Sequence, residues 1–119
     1  MEELLYQHIR PEIRKLAMLM EMKFRFHEAE RGDPFKPTTS MFLIQRYEEE
    51  WEELFLAMGR EFLSDTGIDG KTPQEVWKEV ADNCNLLCMI GVHYERTWRE
   101  HFRKVQGATM QEKQTRPGY

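Results

Sequence analysis

Two short acidic runs pose the chemical question in this chain. Glu49-Glu50-Trp51-Glu52-Glu53-Leu54 contains Glu50-x-x-Glu53, and Glu79-Val80-Ala81-Asp82 is an E-x-x-D. Residues three apart on an α-helix share a face, about 5–6 Å apart at Cβ. Each run therefore projects a carboxylate pair from one helical face. Two such helices side by side would gather four carboxylates in one small volume. Unpaired anions there repel, and burial raises their pKa values. Hard divalent cations relieve the repulsion, and Mg²⁺ keeps waters and open positions for substrate phosphates. The pattern points to metal-dependent phosphate chemistry.

The competing reading is structural. A charge run such as 48–53 is ordinarily a solvated helix face. Against that, Glu50 and Glu53 flank the apolar Trp51 and Leu54. Asp82, a poor helix former, stands at the entrance to an apolar segment, where a carboxylate needs a partner. Asn83 and Asn85 are equally unusual there. Asn85, one turn after Asp82, suits either a phosphate or metal-bound water, or a helix backbone. Lys23, Lys104 and Lys113 are candidate phosphate ligands, although a lone lysine is usually only solvated. Lys23 is distinguished by falling within an apolar face. His27 on that face reads as a core residue or a support for the site. Arg46, one turn before Glu50, can pair with it. Trp51, Trp77 and Trp98 read as core.

The elements that must position these groups are helical. Pro11 suits the first position of a helix, and apolar residues recur at three-to-four spacing to about residue 31. The segment 32–37 holds one glycine and two prolines, a break. Thr38, Thr39 and Ser40 offer N-caps for a second helix over about 41–63. Thr72-Pro73-Gln74-Glu75 is a capping box with proline at N1. The third helix is expected to run to about Ile90 and stop at Gly91. A fourth is expected from Tyr94 to Gln106, ending at Gly107. No strand alternation or internal repeat is visible. The expected fold is all-α, with four main helices. Residues 1–107 form a single domain and 108–119 a polar tail.

Bulk composition narrows the classes. A chain of 119 residues with 40% hydrophobic and 32% charged residues is expected to be one globular domain with a modest core. The longest apolar run, 86–92, is too short to span a bilayer. Met1-Glu2-Glu3 lacks a basic stretch followed by an apolar core, so no signal peptide is expected. Two cysteines, Cys84 and Cys88, do not make a disulfide framework. A cytoplasmic setting without membrane contact is expected. The net charge of −4 argues against a broad nucleic-acid surface, although the C-terminal third is locally basic.

The motifs also resemble a known family. Glu49-Glu50-x-x-Glu53-Leu54-x-x-Ala57, then Glu79-x-x-Asp82 with 25 residues between Glu53 and Glu79, is similar to the signature of the MazG-like all-α nucleoside triphosphate pyrophosphohydrolases. Phe26-His27-x-Ala29-x-x-Gly32-x-Pro34-x-x-Pro37 resembles the lead-in of the branch similar to phosphoribosyl-ATP pyrophosphohydrolase. Val105-Gln106-x-Ala108-Thr109-Met110-x-x-Lys113 resembles that branch's V-H-x-x-N-M-x-x-K box, with Gln106 and Thr109 departing from it. The resemblance spans about residues 20–113.

It implies a MazG-like four-helix bundle completed by oligomerisation, as a homodimer or homotetramer. It implies a hydrolase that uses Mg²⁺, or Mn²⁺, to cut a nucleoside triphosphate or related nucleotide between the α and β phosphates. Glu50, Glu53, Glu79 and Asp82 would be the metal ligands, and Glu53 the group taking the proton of the attacking water. Lys23, Asn85 and Lys113 would contact the nucleotide. Glu49-x-x-Glu52 has the same spacing as Glu50-x-x-Glu53, and Leu54 after Glu53 favours the latter. The alternative is a catalytically silent helical module that binds nucleotide or protein, with its acidic faces at a surface or interface.

Overall fold

Helix α1, Pro11–Arg31, begins at the proline and ends at Gly32. The Gly32 N–H donates to Glu28 O at 2.9 Å, with φ at 84°. The computed structural model describes the backbone of residues 7–115 and the side chains of 7–107. Helix α2, Ser40–Met58, is capped by Thr39, whose Oγ1 accepts from the Phe42 N–H at 3.2 Å. A single turn, α3, covers Arg60–Leu63. Helix α4, Pro73–Thr115, is 43 residues long. Among the described residues there is no strand, so the chain is all-α as expected.

Two boundaries differ from expectation. The second helix breaks at Gly59, where φ is 86°. The chain returns there, and Lys71 N–H donates to Ala57 O at 2.8 Å. A Cβ on Gly59 would collide with Asp69 Oδ1 and the Gly70 backbone, and one on Gly70 with the Ala57 and Met58 carbonyls. Both glycines are needed for this close approach. The second difference is at Gly91, which does not stop a helix. The expected third and fourth helices are one, continuing through Gly91 and Gly107. A helical glycine costs about 1 kcal/mol against alanine. No proline or turn cluster follows to redirect the chain. The helix also continues through 108–115, the start of the expected tail, while 116–119 lie outside the described residues.

The start of α4 matches its sequence signal. Glu75 N–H donates to Thr72 Oγ1 at 3.3 Å, and Thr72 N–H donates to Glu75 Oε2 at 3.0 Å. The Thr72 N–H and then the Thr72 hydroxyl, both donating to Glu75 Oε2, hold that carboxyl below its usual range.

The arrangement is up-down-up around α4. Lys15 lies over Trp77, Lys23 pairs with Asp82, and Arg96 donates to Phe35 O, so α1 runs parallel to α4. Ser40 meets His93 and Glu50 meets Asn83, so α2 runs antiparallel to it. Helices α1 and α2 each pack on α4 and do not approach each other closely. The buried apolar side chains are Leu43, Leu54 and Ala57 of α2 with Ala81 and Leu86 of α4. No residue of α1 is fully buried. Two tryptophans expected in the core are not there: Trp51 and Trp98 are 43% and 51% exposed, because no second layer covers their faces. Beyond Thr97, α4 projects past both neighbours, and the longest dimension is 70 Å. No helix among the described residues is long and apolar enough to cross a membrane.

Candidate functional site

Asn83 sets the spacing of the two acidic helices. It is buried, and its Nδ2 donates to Glu50 O at 3.0 Å and to Glu79 O at 2.8 Å. Two backbone carbonyls, one on each acidic run, thus share one amide. This bond fixes the α2–α4 register that brings the carboxylates together.

Glu50, Glu53 and Glu79 each offer an oxygen within 4.8 Å of the others. The first pair therefore faces the second in the Glu50/Glu53 register. Glu49 instead turns outward and accepts from Arg46 Nη1 at 2.9 Å. Asp82 sits beside the cluster and pairs with Lys23, its Oδ2 3.0 Å from Nζ. Glu50 is the most enclosed carboxylate, with a side chain 12% exposed and Arg46 Nη2 at 3.2 Å.

Crowding raises two of these carboxyls. Burial, then the neighbouring charges of Glu53 and Asp82, push the Glu50 carboxyl up to about 7, with Arg46 working against them. Burial also raises Glu79, reinforced by Asp82 and Glu53 and opposed by Lys23 and Lys71. Glu50 Oε2 and Glu79 Oε2 are buried without a hydrogen-bond partner. An all-oxygen donor set with two orphaned carboxylate oxygens suits a hard divalent cation, which would satisfy both and remove the repulsion. Glu50, Glu53 and Glu79 could hold it, with Asp82 reaching it once released from Lys23.

A cavity of about 230 Å³ opens beside the cluster, between α1 and α2. Glu50 and Asp82 form its acidic edge. Phe24, Phe42 and Met89 supply apolar walls, and Arg31, Lys36 and Arg46 supply cations. The 32–39 loop makes one rim. Phe35 N–H donates to Asp33 Oδ1 at 2.9 Å, and Arg96 Nη2 donates to Phe35 O at 2.8 Å, which ties the loop to α4. Phe24 packs on Phe35 with ring centroids 5.1 Å apart. A cavity with anionic and cationic edges and aromatic walls can take a planar ring bearing an anionic group.

The other expected residues divide. Lys23 is in the site but engaged by Asp82. Asn85 lines the cavity while its Nδ2 donates to Met20 O at 3.1 Å, so its amide serves the helix backbone. His27 is half-buried on the cavity wall. Lys104 is exposed on the projecting part of α4. The Lys113 side chain, with those of 108–110 in the same box, lies outside the described residues. Arg31 and Lys36 had no sequence signal beyond their charge. Arg31 ends α1 and Lys36 lies on the loop after it, and both line the cavity. Cys84 and Cys88 are free, and burial pushes the Cys84 thiol up, away from nucleophilic use.

No protein-family model, curated protein or solved structure matches the chain.

Proposed function

We propose that the protein is a metal-dependent nucleotide pyrophosphohydrolase of MazG-like type, completed as a bundle by a second copy. The observation that carries this reading is the convergence of Glu50, Glu53 and Glu79 within 4.8 Å beside a cavity with aromatic and cationic walls. When bound, Mg²⁺ or Mn²⁺ supplies neutralisation of substrate phosphate charge and a lowered pKa for an attacking water.

The chain's own residues would do the rest. Glu50, Glu53, Glu79 and Asp82 hold the cation. Phe24 and Phe42 sandwich the base, and Arg31, Lys36 and Arg46 clamp phosphate oxygens, orienting the α phosphorus towards the carboxylates. Glu53, the exposed member of the cluster, accepts the water's proton as the Pα–O bond forms and pyrophosphate leaves. Lys23, released from Asp82, follows the substrate's charge.

A second reading has one observation in its favour. Lys23 and Arg46 already pair with Asp82 and Glu50, which suits a catalytically silent binding module. Pyrophosphate release from a panel of ribo- and deoxyribonucleoside triphosphates, with Mg²⁺ or Mn²⁺, separates the two. Metal-dependent monophosphate formation that is lost in Glu53→Gln and Asp82→Asn supports the enzyme. No turnover of any triphosphate, with no metal-induced rise in Tm, sinks it.

A further inference from the structure

Arg25, Arg46 and Arg99 each pair with a carboxylate one turn away on their own helix. Arg96 behaves differently. The exposed Glu100 stands one turn further along α4, yet among the described residues Arg96 pairs with no carboxylate. Its Nη2 donates instead to Phe35 O at 2.8 Å, across 61 positions of sequence. Arg96 is half-buried in that contact. A half-buried cation gives up hydration that an exposed pair with Glu100 would keep. Attention therefore falls on the carbonyl it holds.

Phe35 stands in the middle of the cavity rim. Asp33, Pro34 and Lys36, on either side of it, line the cavity. The Phe35 ring packs instead on Phe24, with centroids 5.1 Å apart, and Phe24 is a cavity wall. Phe35 is held at both ends of its backbone. Its N–H donates to Asp33 Oδ1 at 2.9 Å, and its C=O accepts from Arg96. The other hydrogen bonds of the loop are local: Gly32 N–H to Glu28 O, Lys36 N–H to Asp33 O and Lys36 Nζ to Arg31 O. Among the described residues, the Arg96 bond is thus the one hydrogen bond from the 32–37 loop to α4.

We infer that Arg96 is a positioning residue for the cavity. It fixes the Phe35 carbonyl, and through it the rim residues Pro34 and Lys36 and the ring that supports Phe24. It does not line the cavity itself. With this clasp made, rim and aromatic wall are ordered before a ligand arrives, so binding does not bear the conformational entropy of ordering the loop. With the clasp lost, the Asp33 turn persists but the loop hangs from α1 alone. The identity of the ligand rests on the nucleotide reading above; the clasp does not.

The test compares the full-length wild type with Arg96→Met, Arg96→Lys and, as a control, Arg99→Met. In the free protein, peptides covering 32–39 are expected to exchange with deuterium faster in Arg96→Met, while 79–90 stay as in the wild type. Calorimetric titration with AMP, CMP, GMP and UMP in Mg²⁺ then reads the cavity without turnover. The best-bound of the four is expected to lose roughly 10- to 100-fold in affinity in Arg96→Met, the scale of a hydrogen bond to a charged group. Arg96→Lys keeps a donor of similar reach and is expected to recover most of both effects. Arg99→Met is expected to change neither. Unchanged loop exchange in Arg96→Met, faster exchange spreading through 79–90, or no recovery in Arg96→Lys would overturn the proposal. If the wild type binds none of the four monophosphates, the nucleotide reading falls together with this one. If the wild type binds and Arg96→Met binds equally well, this inference alone falls.

Discussion

Lys23 Nζ lies 3.0 Å from Asp82 Oδ2, joining residues 59 positions apart, and both side chains are largely enclosed. The lysine stands at the edge of the carboxylate cluster as an internal counter-cation. Lys23→Met removes that charge while keeping most of the packing. The metal-free variant is expected to lose about 1 kcal/mol or more, since a partly enclosed carboxylate is left unpaired. It should also bind Mn²⁺ more tightly than the wild type, because the competing cation is gone. Calorimetric titration with Mn²⁺ alone checks this, and unchanged or weaker binding contradicts the role.

Asn83 is the most consequential amide in the fold. Replacing it with alanine strips a donor from Glu50 O and Glu79 O and leaves a small void. The expected loss is about 2–4 kcal/mol by urea unfolding. A loss below ~1 kcal/mol would mean that α2 and α4 hold their register by apolar packing alone.

Acidity has a defined direction here. Glu50 is raised from 4.5 to about 7, so the folded state binds a proton more tightly than the unfolded state. The associated stability is present in full below about pH 4.5. It is lost as pH rises through about 7. Metal-free protein is therefore expected to become less stable across that window, by on the order of 2 kcal/mol. Saturating Mg²⁺ should flatten the slope. Urea midpoints at pH 5 and pH 8, with and without Mg²⁺, provide the comparison.

Gly59 is a backbone site. Gly59→Ala meets both a left-handed φ and contact with Asp69 and Gly70. A loss of about 2–4 kcal/mol is expected. If the variant is as stable as the wild type, the 64–71 return does not hold the end of α2.

Local signals were readable before the structure where one residue decides the outcome. Pro11 fixes a helix start through its restricted φ, and the Thr39 cap and the Thr72–Glu75 box do so through hydrogen bonds within four residues. Glycine is different. Gly59 and Gly91 both sit in helical runs, yet one breaks the helix and the other does not. What separates them lies elsewhere: Gly70 and Asp69 return to Gly59, and nothing turns back on Gly91. The carboxylate spacing was legible because it is a property of one helix face. The Arg31 and Lys36 edge was not, since it depends on how α1 packs on α4 and on the loop after Gly32 folding towards α4. The exposure of Trp51 and Trp98 was equally hidden, because apolar periodicity does not say whether the covering layer belongs to the same chain.

Helix α1 touches only α4 and buries no residue completely. It is therefore held less firmly than α2 and can detach while α2 and α4 stay joined. Its amides should exchange with deuterium sooner than those of 79–90. Because α1 supplies Phe24, His27 and Arg31, each detachment removes one side of the cavity wall. Ligand entry and release would then be timed by the fraying of one helix, and a bound nucleotide would slow exchange there first.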